Sequence, residues 1–180
     1  NCGFETTEDC FFENSQPSQR RKRTTQEILL ADNFDWIFGK SGPTPSSRTG
    51  PSSAIVGVRY AYIEASSPRA SGERAVIRTT NTFRETLQCI SFYYHMFGSA
   101  SGMGTLNVYY SSSSGHVQNI FTKSGNQGDQ WLLEAVEIPP TSGLVIYIEG
   151  IRGKSYKSDI AIDAVTVTEG NCGCTANPCH

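Results

Sequence analysis

The sequence predicts an all-β protein of antiparallel strands, a sandwich or a barrel. Three observations predict it. Apolar and polar residues alternate with period two in run after run, glycine- and serine-rich turns separate the runs, and helix-like periodicity is nearly absent. The runs in chain order are RYAYIEAS (59–66), ERAVIRTT (73–80), CISFYYHM (89–96), TLNVYYS (105–111), LLEAVEIP (132–139), LVIYIEGI (144–151) and DIAIDAVTV (159–167). Between them lie SSPRASGE, GSASGMG, SSSSGH, KSGNQGDQ and PPTSG, each rich in turn-forming residues. Spacing of this kind indicates strands joined by hairpins, not βαβ units. Only TTQEILLADNF (24–34) reads as a short helix or an ordered loop.

Size and charge narrow the function classes. A chain of 180 residues is one large domain, or one domain with appendages, and can bury a substantial core. A net charge of −2 gives no global attraction to nucleic acid or to acidic lipid. No run of 18 apolar residues occurs, so no membrane span is expected. No basic-then-apolar leader opens the chain, and Asn1 is expected to be a mature terminus or a fragment boundary.

The six cysteines are Cys2, Cys10, Cys89, Cys172, Cys174 and Cys179. None forms a CxxC pair and only one histidine, His180, adjoins a cysteine, which argues against zinc and for disulfides in an oxidising, extracellular setting. Within 89–96, alternation puts Ile90, Phe92, Tyr94 and Met96 on the core face and Cys89, Ser91, Tyr93 and His95 on the other. The expected core adds Trp36, Leu106, Val108, Trp131, Ile146, Ile148 and Ile162.

Motifs along the chain, taken in order, resemble a MAM domain, the module shared by meprins, neuropilins and receptor tyrosine phosphatases. CGFETTEDC resembles the family's opening cysteine pair, and DNFDW its acidic stretch ending in tryptophan. TGPSS, YAYIEASSP and GERAVIRT follow in family order, and CISFYYHMFG with GTLNVYY is the most specific segment. Gln130–Trp131, VIYIEGIRG and DIAIDAVTVTEGNC close the pattern, which covers residues 2–172.

The resemblance implies a jelly-roll β-sandwich of two antiparallel sheets stapled by Cys2–Cys10 and Cys89–Cys172, without a catalytic centre. A bond from Cys89 to Cys172 would restrict the unfolded chain by about 4–5 kcal/mol on the loop-entropy model. The resemblance also implies an extracellular adhesion or assembly module that binds protein partners, itself among them, within a larger modular protein. A glycan-binding, lectin-like jelly roll is the rival, with polysaccharide as partner. On this reading the domain covers 1–172, with a long basic loop at about 13–27. Residues 173–180 form a linker or open a following cysteine-rich module, since CTANPCH resembles the start of an EGF-like unit. Cys174 and Cys179 pair with each other or remain free.

A structural calcium ion is the expected cofactor. Glu5 and Asp163 lie in segments that the resemblance brings to neighbouring strands, with Asp32 and Asp35 nearby, and calcium takes six to eight oxygens. Two departures weigh against it: Ala54 stands where the family has aspartate, and Ala164 replaces the second acid after Asp163. The run Arg20, Arg21, Lys22 and Arg23 reads as a processing site, a polyanion contact or a solvated loop. Tyr60, Tyr62, Tyr93, Tyr109 and Tyr147 read as strand residues before they read as an adhesive face. An enzyme is not expected. There is no GxSxG or HExxH, and GIRGKS lacks the first glycine of a phosphate loop.

Overall fold

The alternating runs become strands, and the turn-rich stretches connect them. The computed structural model describes residues 1–6, 10–15 and 31–173, and among these no residue is helical. The strands are β1 (Phe12–Asn14), β2 (Ile37–Ser41), β3 (Arg59–Ile63), β4 (Arg74–Thr79), β5 (Gln88–Met96), β6 (Thr105–Ser111), β7 (Val117–Ser124), β8 (Trp131–Ile138), β9 (Val145–Ile151) and β10 (Ile160–Glu169). They form two five-stranded sheets, ordered β1-β4-β9-β6-β7 and β2-β3-β10-β5-β8. Neighbours pair antiparallel throughout, giving the jelly-roll sandwich.

The core fills the space between the sheets. Ile90, Phe92, Tyr94 and Met96 of β5 face it, with Leu106, Val108, Ile146, Ile148 and Ile162 from the neighbouring strands. Phe121 of β7 meets Phe92 edge-on at 5.3 Å and Tyr94 at 5.6 Å, a favoured geometry for aromatic pairs. Trp36 is buried and donates its indole N–H to the carbonyl of Ala75, 2.9 Å away. Its ring needs Gly150, where an added Cβ would sit 3.1 Å from Trp36 and 2.9 Å from Ile63.

Cys2 is bonded to Cys10, and Cys89 to Cys172. Cys89 lies on the outer face of β5, where Thr168 of β10 is its partner in register, so the bond joins the last strand to the outside of the sandwich. The N-terminal segment is tied to β10 as well. Cys2 exchanges both backbone hydrogen bonds with Val165, beside a bulge in β10 between Asp163 and Thr166.

Several sequence-based expectations need correction. Trp131 is not in the core; it packs on the outer face of the second sheet with Tyr60, Tyr62, Ala54 and Ala161. Alternation alone cannot distinguish the two apolar faces of a sheet when a loop covers one of them. Glu13 and Asn14 belong to β1, not to the basic loop, because Glu13 pairs with Arg78 across the strand edge at 3.0 Å. Of the segment read as a short helix or an ordered loop, residues 31–34 take the second form: Phe34 bridges to Ala75, and Asn33 exchanges hydrogen bonds with Arg74. Residues 24–30, the run Arg20–Arg23, and Cys174 with Cys179 lie outside the described residues.

Candidate functional site

The connection from β2 to β3, residues 42–58, folds across the outer face of the second sheet. It is fixed along its length by other elements. Thr49 donates its hydroxyl and Gly50 its amide to the carbonyl of Phe97, just after β5. Trp131 at the start of β8 donates its indole N–H to Ser53 O at 3.0 Å. Tyr60 and Tyr62 are strand residues and not part of an adhesive face: they are buried beneath this loop, and the Tyr60 hydroxyl donates to Gly42 O at 2.7 Å. Burial raises the Tyr60 phenol beyond its ordinary value, so it stays a neutral donor.

His95 shares this outer face. It is buried against Trp131 at 5.3 Å, its Nε2 is 3.0 Å from Asp129, and burial lowers its pKa despite that carboxylate. The imidazole is thus packed into the outer layer between Trp131 and Asp129.

The last part of the loop, AIVGV (54–58), is held by two carboxylates. Asp163 Oδ2 accepts the amides of Ile55 and Val56 at 3.0 and 3.1 Å, and its Oδ1 accepts the amide of Ala164 at 2.7 Å. Glu5 Oε1 accepts the amides of Val58 and Arg59 at 2.7 and 2.9 Å. Gly57, at φ +66°, is required here, since a Cβ would fall 2.2 Å from Glu5 Oε1. Burial, with Glu5 nearby, raises the Asp163 carboxyl, while the three amides favour its charged form.

Of the four residues named for calcium, the structure brings two together. Glu5 and Asp163 each clamp a stretch of the loop through backbone N–H groups. Asp32 and Asp35 flank the segment that pairs with β4, in the opposite sheet. Among the described residues, no group of three or more His, Cys, Asp or Glu side chains is arranged to hold a metal.

The clamp presents an apolar surface. Ile55, Val56 and Val58 are 44, 49 and 65% exposed. These are three of the five large hydrophobic side chains that stand exposed among the described residues. Chain order did not reveal the surface. Its one sequence signal is a β-branched apolar run, IV and V around Gly57, inside a connection otherwise made of glycine, proline and serine.

Two predictions follow from the clamp and its surroundings. Asp163→Ala leaves the Ile55 and Val56 amides without an acceptor and is expected to lower stability by about 1–3 kcal/mol. Faster amide exchange should be confined to 54–59. Thermal unfolding of wild type with calcium and with chelator is expected to coincide, and a calcium-dependent rise in melting temperature would support the metal reading.

The second concerns Asp159, whose carboxyl is fully buried, with Oδ1 accepting the Ala65 amide at 2.8 Å and Oδ2 without a partner. Burial, reinforced by Glu64, raises its pKa from 3.8 to about 7. Between those values the native state binds the extra proton, so this group's contribution to stability falls as pH rises from about 4 to about 7. Melting of Asp159→Asn should lack that component. Identical pH profiles for variant and wild type would contradict the assignment.

A two-sheet jelly roll with a disulfide closing its last strand and a loop clamped over one face defines an extracellular-type β-sandwich module. The chain belongs to the MAM domain family (meprin/A5/mu), whose sequence model matches residues 2–173. MAM domain-containing glycosylphosphatidylinositol anchor protein 1 of Gallus gallus is 38% identical over 148 residues, covering 78% of this chain and 16% of that protein. Protein 2 of the same name from Mus musculus is 36% identical over 190 residues, covering 95% of this chain and 18% of that protein. The chain thus spans less than a fifth of these relatives' length. In fold it is similar to the K1 cleaved adhesin domain of Lys-gingipain from Porphyromonas gingivalis W83. The TM-score is 0.62 at 12% identity, covering 94% of this chain and 96% of that one.

Proposed function

We propose that the chain is a non-catalytic extracellular adhesion module that binds protein partners, a second copy of itself among them, through the clamped loop 54–58. The observation that carries this reading is the exposure of Ile55, Val56 and Val58 on backbone that is already fixed. Contiguous exposed apolar side chains mark interaction sites. A loop held in place before contact also loses little conformational entropy on binding. The two disulfides, and the names of the relatives as glycosylphosphatidylinositol anchor proteins, support a place outside the cell, secreted or on a membrane-anchored parent.

Beads coated with the chain are expected to bind cells or each other. Protease treatment of the target surface should abolish binding, and glycosidase treatment should leave most of it. The reverse pattern would replace the protein-adhesion reading with the glycan-binding one.

A further inference from the structure

At the end of the sandwich where β5 leads into β6 and β9 into β10 lies an open cleft of about 500 Å³. It is lined by Arg48, Phe97, Gly98, Ser99, Ser155, Tyr156 and Lys157. It shares no residue with the apolar loop surface and does not depend on the adhesion reading. Its chemistry is one-signed. Two cations line it and no carboxylate does. Neither Arg48 nor Lys157 forms an ion pair among the described residues. Arg48 holds a left-handed backbone, φ 63°, an uncommon conformation for a residue with a side chain. Tyr156 is 52% exposed, an unusual exposure for a large ring, and the Lys157 ammonium lies 5.5 Å from its centroid. That contact poises the charge beside an aromatic face.

We propose that this cleft binds an acidic saccharide unit, carboxylated or sulfated. Arg48 and Lys157 would pair with the anionic group, the Tyr156 ring would take the apolar face of the sugar, and the Ser99 hydroxyl would donate to a ring substituent. A peptide is the poorer occupant. The Gly98 and Ser99 amides are already given to Asn126 Oδ1 and Lys157 O, and the Ser155 amide to Gly102 O. No backbone ladder is left on these residues for an extended chain to join.

The test is calorimetric titration of the 180-residue chain with four probes: a heparin hexasaccharide, a hyaluronan hexasaccharide, a neutral chitohexaose and a poly-glutamate hexapeptide. At least one acidic saccharide should bind, about tenfold or more tightly than the neutral sugar and the peptide. Both acidic probes carry carboxylates and only heparin carries sulfate, so binding of heparin without hyaluronan assigns the anionic group to sulfate, and binding of hyaluronan assigns it to carboxylate. Arg48→Asn with Lys157→Gln should weaken that binding about tenfold or more without changing the melting temperature. Asparagine also suits the left-handed backbone at 48. Tyr156→Ala should weaken saccharide binding but not binding of inorganic sulfate. The proposal is overturned if neither acidic saccharide binds, or if the peptide binds as well as they do. It is also overturned if affinity survives the Arg48/Lys157 variant and disappears when Arg20–Arg23 are replaced by alanine.

Discussion

Phe92→Ala is expected to lower the unfolding free energy by about 3–5 kcal/mol. Phe92 is fully buried in the middle of β5, the strand that pairs with both β8 and β10. Its ring contacts Tyr94 at 6.2 Å and Phe121 of the opposite sheet at 5.3 Å, so it is a physical link between the two layers. Truncation removes the transfer term and leaves a cavity between two hydrogen-bonded sheets that cannot collapse independently. Urea unfolding followed by tryptophan fluorescence measures it, because Trp36 lies in the same core. A loss under about 1 kcal/mol would mean that the faces of β5 are reversed.

The second large effect is expected on removing the bond between Cys89 and Cys172. These residues are 83 apart in sequence, and closing a loop of that length restricts the unfolded chain by about 4–5 kcal/mol on the entropy model. In the folded state little else depends on the bond, since β5 and β10 already pair from Ile160 to Glu169 and the Cys172 amide donates to Glu137. The stabilisation therefore acts mainly through the unfolded chain. A Cys89→Ala/Cys172→Ala variant should keep the wild-type fold while unfolding at clearly lower denaturant, with a steeper denaturant dependence as the unfolded chain expands. An unchanged midpoint would show that the bond contributes nothing, and a collapsed fold would show that it is needed to assemble the sheets.

How much of this was legible in the chain varied by element. The inner face of β5 could be read residue by residue, because Ile90, Phe92, Tyr94 and Met96 alternate with polar neighbours and the core lies on one side. β7 went unread: VQNIFTKS sits at the edge of its sheet, and its exposed polar positions mask the alternation. The same limit misplaced Trp131. Tyr60 looks like any strand residue until a loop 17 residues long closes over it, and no local pattern announces that closure. The candidate surface was half legible. Glu5 and Asp163 stood out as carboxylates that burial would penalise, yet their partners are backbone amides, which carry no sequence signature. Ala54 and Ala164 removed acids that the family pattern supplies, and the structure places amide donors around the carboxylates that remain.

The central claim is that loop 54–58 is the adhesive surface, and one substitution addresses it directly. Val58 is 65% exposed, and its side chain takes no part in the clamp, which uses only its amide. Val58→Asp should therefore leave the melting temperature within about 0.5 kcal/mol equivalent of wild type while placing a charge in the apolar contact. In the coated-bead assay this variant is predicted to lose adhesion by at least tenfold, while Gln118→Glu on the opposite sheet keeps it. Full adhesion by Val58→Asp, with normal folding, would contradict the account.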